Sequence, residues 1–230
     1  YPYEAVWLIT KKGCKLVENI SEDPENEFKV SEADSFLAYK EGLLAVVHSH
    51  CNEAIAPSKA DMVGQELSGV PWGIAQVVNG DFQDILWWGA DTPRPPLIGR
   101  GLIHGLSDCY SLLRDFYFKY GIDLPIVPRR WQWWEDEKLF DEFWEPFGFV
   151  EVPIHTMLPG DTLIIRVRGE HSHHCGVVIE SELFAHHPGA NEVFDSGRLS
   201  VMESVHRYMP YIVQVLRHKD FPQGVEVTVD

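Results

Sequence analysis

The sequence has no continuous apolar run of the roughly 18 residues that a membrane-spanning helix requires. It also shows no basic segment followed by an apolar stretch near its first residues, which is the pattern of a secretory signal peptide. Internal repeats and low-complexity tracts are absent as well. We therefore expect globular domains, with no membrane span and no signal peptide.

Cysteine and basic residues are also scarce. Four cysteines, at positions 14, 51, 109 and 175, form neither CxxC pairs nor a dense cluster, so we expect a reducing compartment and no disulfide framework. The 19 Lys and Arg residues are outnumbered by 35 Asp and Glu residues, which gives a formal net charge of −16. Because such a chain repels phosphate-rich partners, we do not expect binding to nucleic acid or to a membrane surface.

A stretch rich in proline and glycine divides the chain. Residues 92–101 (TPRPPLIGRG) break regular structure, so we predict two domains, one over residues 1–92 and one over residues 93–230. On both sides of this boundary, short apolar runs of strand length alternate with helical segments. The pattern predicts an α+β fold class for both domains.

Several local elements can be predicted from single residues. Ser31, Ser58 and Asp108 are suitable N-caps for three helices. The pair Asn79-Gly80 lies between two strand-like runs and predicts a tight β-hairpin turn. The aromatic and acidic segment Trp131–Phe147 is predicted to be helical.

The first candidate site follows an apolar strand-like run. His48 and His50 are two residues apart, so their side chains point to the same side of the strand. Asp61, on the first turn of the next helix, can reach that side. Two imidazoles and one carboxylate leave a fourth zinc position open for water, whose pKa the metal lowers. Glu4 is the candidate general base, and Ser58 can donate a hydrogen bond to the developing oxyanion.

The segment HSHCNEAIAPSKAD (residues 48–61) resembles the HxHx7SxxD motif of JAMM metalloproteases, with Glu4 as the upstream glutamate. The resemblance implies a mixed sheet with flanking helices and a bound Zn(2+). It further implies that His48, His50 and Asp61 are zinc ligands, that Glu4 is the acid-base and that Ser58 stabilises the transition state. The helix that precedes the glutamate in the family has no counterpart, because the chain begins three residues before Glu4.

Two departures from the JAMM pattern concern neighbouring positions. Ala5-Val6-Trp7 replaces the apolar-Cys-Gly stretch that usually follows the glutamate, and Cys51 replaces a residue that is often proline. Cys51 is either a packing residue or a further contact to the metal, since a thiolate binds zinc well.

The second candidate site contains a cysteine nucleophile. Cys109 directly follows the N-cap Asp108, where the helix dipole lowers the pKa of a thiol. His174 opens a later apolar strand and is the candidate base. A third polar group should orient that imidazole, and His186 is placed for this role, with His187 as the alternative.

Four fragments of the second half resemble the NlpC-type cysteine peptidases, a papain-like family that cuts cell-wall peptides. They are Asp108-Cys109, Gly160-Asp161, His174-Cys175-Gly176-Val177 and Phe184-Ala185-His186. The resemblance implies a helix packed on an antiparallel sheet, with Cys109, His174 and His186 as the catalytic residues. His104 occupies a place where relatives often have a tyrosine near the oxyanion site, and a structural role for it is the alternative.

The order of the two motifs resembles the tail-tip assembly proteins of lambda-like tailed phages. It implies a role in building the tail tip, with other tail-tip proteins as partners and a peptidoglycan peptide or a protein as substrate. The expected locations are the host cytoplasm during assembly and the tail tip of the virion. A structural tail-tip component with one or both sites inactive is the alternative hypothesis.

Overall fold

The computed structural model describes residues 1–142 and 144–229. The chain divides into two compact units, Tyr1–Pro93 and Arg94–Asp230. Helices and strands occur in both, as the predicted α+β class requires. Within the described ranges, no helix is both long and apolar enough to cross a membrane.

The first unit is built on a five-stranded mixed sheet with two helices. The strand order is β2-β1-β3-β4-β5; β3 and β4 are parallel, and the other neighbouring strands are antiparallel. The elements are β1 (Val6–Thr10), β2 (Gly13–Val17), α1 (Glu32–Lys40), β3 (Leu43–Cys51), α2 (Lys59–Ser68), β4 (Trp72–Val78) and β5 (Asp81–Trp88).

Local sequence chemistry explains how these elements begin and turn. Ser31 and Ser58 cap α1 and α2, because each hydroxyl accepts a hydrogen bond from the backbone N–H three residues later. Asn79 and Gly80 both have positive φ angles, 52° and 89°, between the antiparallel strands β4 and β5. Two positive φ angles match the twist of a hairpin, so the predicted turn is confirmed.

The second unit contains a six-stranded antiparallel sheet in the order β12-β10-β9-β8-β13-β7 and a two-stranded sheet of β6 and β11. Its strands are β6 (Gly101–Ile103), β7 (Phe149–Val152), β8 (Thr162–Ile165), β9 (His174–Glu180), β10 (Leu183–His186), β11 (Phe194–Leu199), β12 (Val201–Ser204) and β13 (Ile212–His218). Its helices are α3 (Cys109–Lys119), α4 (Leu139–Glu142), α5 (Val205–Tyr208) and 3-10 turns at Trp133–Glu135, Ile154–Thr156 and Met209–Tyr211.

Alternating side chains of the six-stranded sheet enter two separate apolar clusters. Ile164 and Val177 pack in the cluster that contains the buried face of α3, whereas Leu163 and Val178 pack in the cluster that contains Val205 of α5. Each fully buried side chain of this size contributes about 1.5–3 kcal/mol to folding. The sheet is therefore fixed on both faces, which holds the ends of β9 and β10 in place.

The predicted helix over residues 131–147 is wrong for most of its length. Only Trp133–Glu135 and Leu139–Glu142 are helical, and Phe143 lies outside the described residues. Gln132 has a φ of 59°, which interrupts a right-handed helix. The large side chains of Trp133, Phe140 and Trp144 instead enter the core around α3, so their burial outweighs the local helical preference.

Candidate functional sites

Three buried side chains of the first unit converge on one point. His48 and His50 lie on the same face of β3, and their Nε2 atoms are 3.1 Å apart. Asp61, from the first turn of α2, places its carboxylate oxygens 3.4 Å from Nε2 of His48 and 3.8 Å from Nε2 of His50. The ligand atoms of all three residues lie within 4.8 Å of one another. Each residue is at least 95% buried.

The orientation of these ligands is set by their neighbours. His50 Nδ1 lies 3.0 Å from the carbonyl oxygen of Ala54, which places its proton on Nδ1 and leaves the lone pair of Nε2 directed at His48 and Asp61. Ser58 and Asp61 form a reciprocal capping box, with Ser58 N–H donating to Asp61 Oδ2 at 2.8 Å. Two imidazole nitrogens and a carboxylate at this spacing fit a zinc ion with an open position.

Glu4 lies beside this cluster. Its carboxylate is 3.7 Å from Nε2 of His50, and only 3% of the residue is exposed. The backbone of Glu4 is held by a 2.7 Å hydrogen bond from its N–H to the carbonyl of Pro24. Burial raises the pKa of Glu4 to about 8, so this carboxyl group can carry a proton near neutral pH.

The other predicted members of the first site lie around it. Ser58 Oγ accepts the N–H of Asp61 at 3.1 Å, which places the hydroxyl beside the Asp61 carboxylate. Burial alone would raise the pKa of Asp61, but its interactions with His48 and His50 outweigh it and hold the pKa below its usual range. Cys51 alternates to the opposite face of β3 from His50 and contacts Tyr3 O and Ser49 Oγ, so it lies outside the ligand cluster.

The second unit contains a cleft of about 530 Å³ with Cys109 in its wall. Cys109 is the first residue of α3, and Asp108 caps this helix by accepting the Ser111 N–H at 3.0 Å. Asp108 also forms a buried salt bridge with Arg129. Burial would raise the pKa of Asp108, but the Arg129 guanidinium outweighs it and holds the pKa well below its usual range.

Two histidines follow the thiol in a line. The His174 side chain lies close enough to Cys109 to lower the pKa of its thiol, and His174 Nε2 lies 2.8 Å from His186 Nδ1. His186 is 1% exposed and His174 is 9% exposed. His187 points elsewhere, since its Nε2 lies 3.0 Å from the carbonyl of Arg100. Of the two alternatives, the structure therefore brings His186 to His174.

The thiol of Cys109 is prepared for ionisation. The adjacent Cys175 thiol, together with the proximity and positive charge of His174, lowers the pKa of Cys109 well below its usual value, although burial opposes this. Burial and the proximity of Cys109 raise the pKa of Cys175, so Cys175 stays a protonated donor. The role of Cys175 was not predicted, because it depends on β9 facing the N-terminus of α3.

Gly176 explains why the two histidines can meet. It lies opposite His186 in the pairing of β9 with β10. A Cβ atom at this position would lie 2.6 Å from Phe184 Cδ2, 2.8 Å from the Ala185 carbonyl oxygen and 2.9 Å from His186 Cβ. Any side chain at residue 176 would therefore push β10 away, and His186 with it.

His104 also lines the cleft but is held by the protein. Its Nε2 lies 3.1 Å from the carbonyl of Arg129, and its ring packs edge-on against Trp131. Burial lowers the pKa of His104, so the ring is neutral near pH 7. These contacts fit the structural alternative for this residue.

Comparison with protein-family models matches residues 87–213, more than half of the chain, to the NlpC/P60 family. The chain belongs to the NlpC/P60 family. The matched residues include all three members of the Cys109, His174 and His186 constellation. Family membership indicates a cysteine peptidase or hydrolase.

Two phage proteins are similar to this NlpC/P60 family member. Tail tip assembly protein K of Escherichia phage N15 is 27% identical over 201 residues, which cover 81% of this chain and 79% of that protein. Tail tip assembly protein K of Escherichia phage lambda is 32% identical over 148 residues, covering 64% of this chain and 70% of that protein.

Two solved structures are more distant. A protein from Salinibacter ruber is 19% identical and covers 39% of this chain and 69% of its own, with a TM-score of 0.26. An NlpC/P60 family protein from Bacillus cereus is 12% identical and covers 96% of this chain and 64% of its own, with a TM-score of 0.34. Scores this low support no statement about function.

Proposed function

We propose that the chain is a phage tail-tip assembly protein whose second unit is a Cys-His endopeptidase acting on peptidoglycan peptides. The observation that carries this proposal is the placement of Cys109 beside His174, which is hydrogen-bonded to His186, in the wall of a cleft. The names of the two phage relatives support the assembly role, and the NlpC/P60 family supports the thiol chemistry.

In the proposed reaction, the thiolate of Cys109 attacks the scissile carbonyl carbon and forms a C–S bond. The C–N bond then breaks, and the imidazolium of His174 gives its proton to the leaving amine. A water molecule next loses a proton to His174 and attacks the thioester carbonyl, and the thiolate leaves. Since Nε2 of His174 faces His186, Nδ1 is the nitrogen left for the thiol and the leaving group.

The cleft suits a peptide substrate. Trp131 and Trp134 form apolar surface on one side, and Arg168 and Arg198 also line it. Asp108 is the one carboxylate in the described lining, and Arg129 neutralises it. The cleft thus differs from the chain as a whole, whose net charge is −16. A peptide with free carboxylates, such as a wall stem peptide, would be attracted to it.

The first unit is proposed to be a JAMM-type zinc (iso)peptidase. His48, His50 and Asp61 would hold the ion, which when bound supplies a Lewis acid and lowers the pKa of a water molecule. Glu4, whose pKa is raised to about 8, would accept and return a proton, and the Ser58 hydroxyl would donate a hydrogen bond to the developing oxyanion. The substrate is a protein or isopeptide.

Digestion of purified peptidoglycan by the full chain tests the endopeptidase. We expect mass spectrometry to detect new amine and carboxyl ends within the stem peptides, and none with Cys109→Ala. His48→Ala, altered in the other unit, is the matched control and should still produce these ends. Wild-type chain that leaves the stem peptides intact would contradict the proposal.

The alternative is a structural tail-tip component with one or both sites inactive, and the names of the relatives favour an assembly role on their own. Both roles can coexist, with the protein in the host cytoplasm during assembly and at the virion tail tip afterwards. Complementation of a phage that lacks this gene distinguishes the assembly role from the catalytic role. Normal infectious particles from Cys109→Ala and Asp61→Ala genes would mean that assembly needs neither chemistry.

A further inference from the structure

A carboxylate lies at the outer end of the histidine pair. Glu203 is on β12, which pairs with β10, and its Oε2 is 2.9 Å from Nε2 of His186. Hydrogen bonds therefore run from His174 through His186 to Glu203, and Cys109 lies beside His174 at the other end of this line. No sequence motif indicated Glu203, because its place depends on the pairing of two strands.

The position of Glu203 decides which nitrogen of His186 carries the proton. A neutral imidazole has one N–H donor and one lone pair. An ionised carboxylate only accepts, so it places the proton of His186 on Nε2. The lone pair is then on Nδ1, which faces Nε2 of His174 at 2.8 Å. When His174 takes the proton of Cys109, its Nε2–H finds an acceptor in that lone pair.

Glu203 is itself held in place and kept ionised. The Tyr208 hydroxyl donates to Oε2 at 2.6 Å, and Arg207 Nη1 donates to Oε1 at 2.6 Å. Burial would raise the pKa of Glu203, but the hydrogen bonds from Tyr208 and His186 outweigh it and the pKa is lowered. Both carboxylate oxygens are thus engaged, and these contacts hold Oε2 against His186.

The remaining surroundings of His186 cannot replace this carboxylate. The groups that face it are His174 on β9, the neighbouring His187, the stacked ring of Phe184 and the edge of Tyr208. Burial and the charge of His174 lower the pKa of His186 to about 3, so His186 is neutral near pH 7. Without an acceptor at Nε2, the proton could move to Nδ1 and would then oppose the N–H of His174.

We propose that Glu203 is a positioning residue of the thiol site, which selects the Nε2–H tautomer of His186 and thereby stabilises the thiolate-imidazolium pair of Cys109 and His174. The inference rests on the proposed thiol-peptidase function of the second unit. Glu203 does not touch the thiol and acts only through His186.

The test measures the pH dependence of Cys109 alkylation by iodoacetamide in the full chain, which requires no knowledge of the substrate. We expect Glu203→Gln to raise the apparent pKa of Cys109 by about one unit, which slows alkylation about tenfold at pH values below both pKa values. Glu203→Asp, which keeps the charge, should restore part of the rate. Glu182→Gln, at an exposed glutamate, is the matched control and should behave as wild type.

Nitrogen-15 NMR of labelled histidine gives a second readout that a merely structural role would not change. We expect His186 to be the Nε2–H tautomer in the wild type and to lose this preference in Glu203→Gln. Tyr208→Phe keeps the carboxylate but removes one of its donors, so it should give a smaller shift in the same direction. It also serves as the test if Glu203→Gln does not fold.

The outcomes separate the inference from the function on which it rests. Wild-type Cys109 that is alkylated no faster than the exposed Cys14 would overturn the proposed thiol function. An activated wild-type Cys109 with an unchanged pH profile and tautomer in Glu203→Gln would overturn the role of Glu203 alone.

Discussion

The Nε2 atom of His174 lies 2.8 Å from the Nδ1 atom of His186, in the interior of the second unit. This contact turns His174 so that its other ring nitrogen is free for Cys109. A base held in one orientation needs no rearrangement when the thiol ionises. The adjacent His187 has a different partner, the carbonyl of Arg100. His186 therefore orients His174, whereas His187 contacts the backbone.

Replacement of these two histidines should therefore have different effects. We expect His186→Ala to lower the kcat for peptide cleavage at least about tenfold, and at most by the 10²- to 10⁴-fold that acid-base catalysis contributes. His187→Ala should chiefly lower the free energy of unfolding, by about 1 kcal/mol for the lost hydrogen bond. Steady-state kinetics measure kcat, and urea denaturation measures the free energy of unfolding. Equal losses of kcat in the two variants would contradict the assignment of His186.

The buried salt bridge beneath the nucleophile should contribute to stability. Arg129→Ala leaves Asp108 buried without its cation, and we expect the free energy of unfolding to fall by about 3–5 kcal/mol. Arg130→Ala is the matched control, because Arg130 pairs with Asp136 at the solvated surface and its loss should change the free energy of unfolding little. Urea denaturation of the full chain compares the two, and similar losses would argue against a structural role for the buried pair.

The same pair predicts a pH dependence. The pKa of Asp108 is lower in the folded chain than its usual value, so its contribution to stability is complete above the unfolded pKa of about 3.9. That contribution is lost as the pH falls below this value toward the folded pKa. Wild type should lose more stability than Arg129→Ala between pH 5 and pH 3, since the variant lacks the interaction. Parallel losses in both proteins would exclude Asp108 as the cause.

How far the fold could be predicted depends on the range of the interactions involved. Ser31, Ser58 and Asp108 cap helices through bonds to residues three positions away, and the Asn79-Gly80 turn is equally local. Such features were predicted correctly from the residues themselves. The helix prediction for residues 131–147 was wrong, because the conformation of that segment depends on burying its aromatic side chains in the core around α3, against residues distant in sequence.

The candidate sites follow the same rule. The pairs His48 and His50, and Asp108 and Cys109, are set by one strand and one helix end, so their spacing was informative. Arg129 and Glu203 reach their sites through contacts 21 and 17 residues away in sequence. Neither occurs in a motif that would indicate its role, so only the arrangement of the folded chain identifies them.

The metal site makes a prediction that does not depend on activity. We expect about one zinc ion per chain in protein purified without chelators, and loss of that zinc in His48→Ala. Because bound metal stabilises only the folded state, a chelator should lower the Tm of wild type and not that of the variant. His206→Ala, at an exposed histidine, is the matched control and should retain zinc. Elemental analysis without zinc in wild type would contradict the proposed metal site.

The most direct measurement of the central claim is the alkylation rate of each cysteine as a function of pH, with iodoacetamide and peptide mass spectrometry. Cys109 has a lowered pKa through Cys175 and His174, so its thiolate should persist to lower pH than that of an ordinary cysteine side chain. We predict that Cys109 reacts at least about tenfold faster than the exposed Cys14 at pH 6–7 and that His174→Ala abolishes this difference. Equal rates for the two cysteines in wild type, or no change in His174→Ala, would contradict the account.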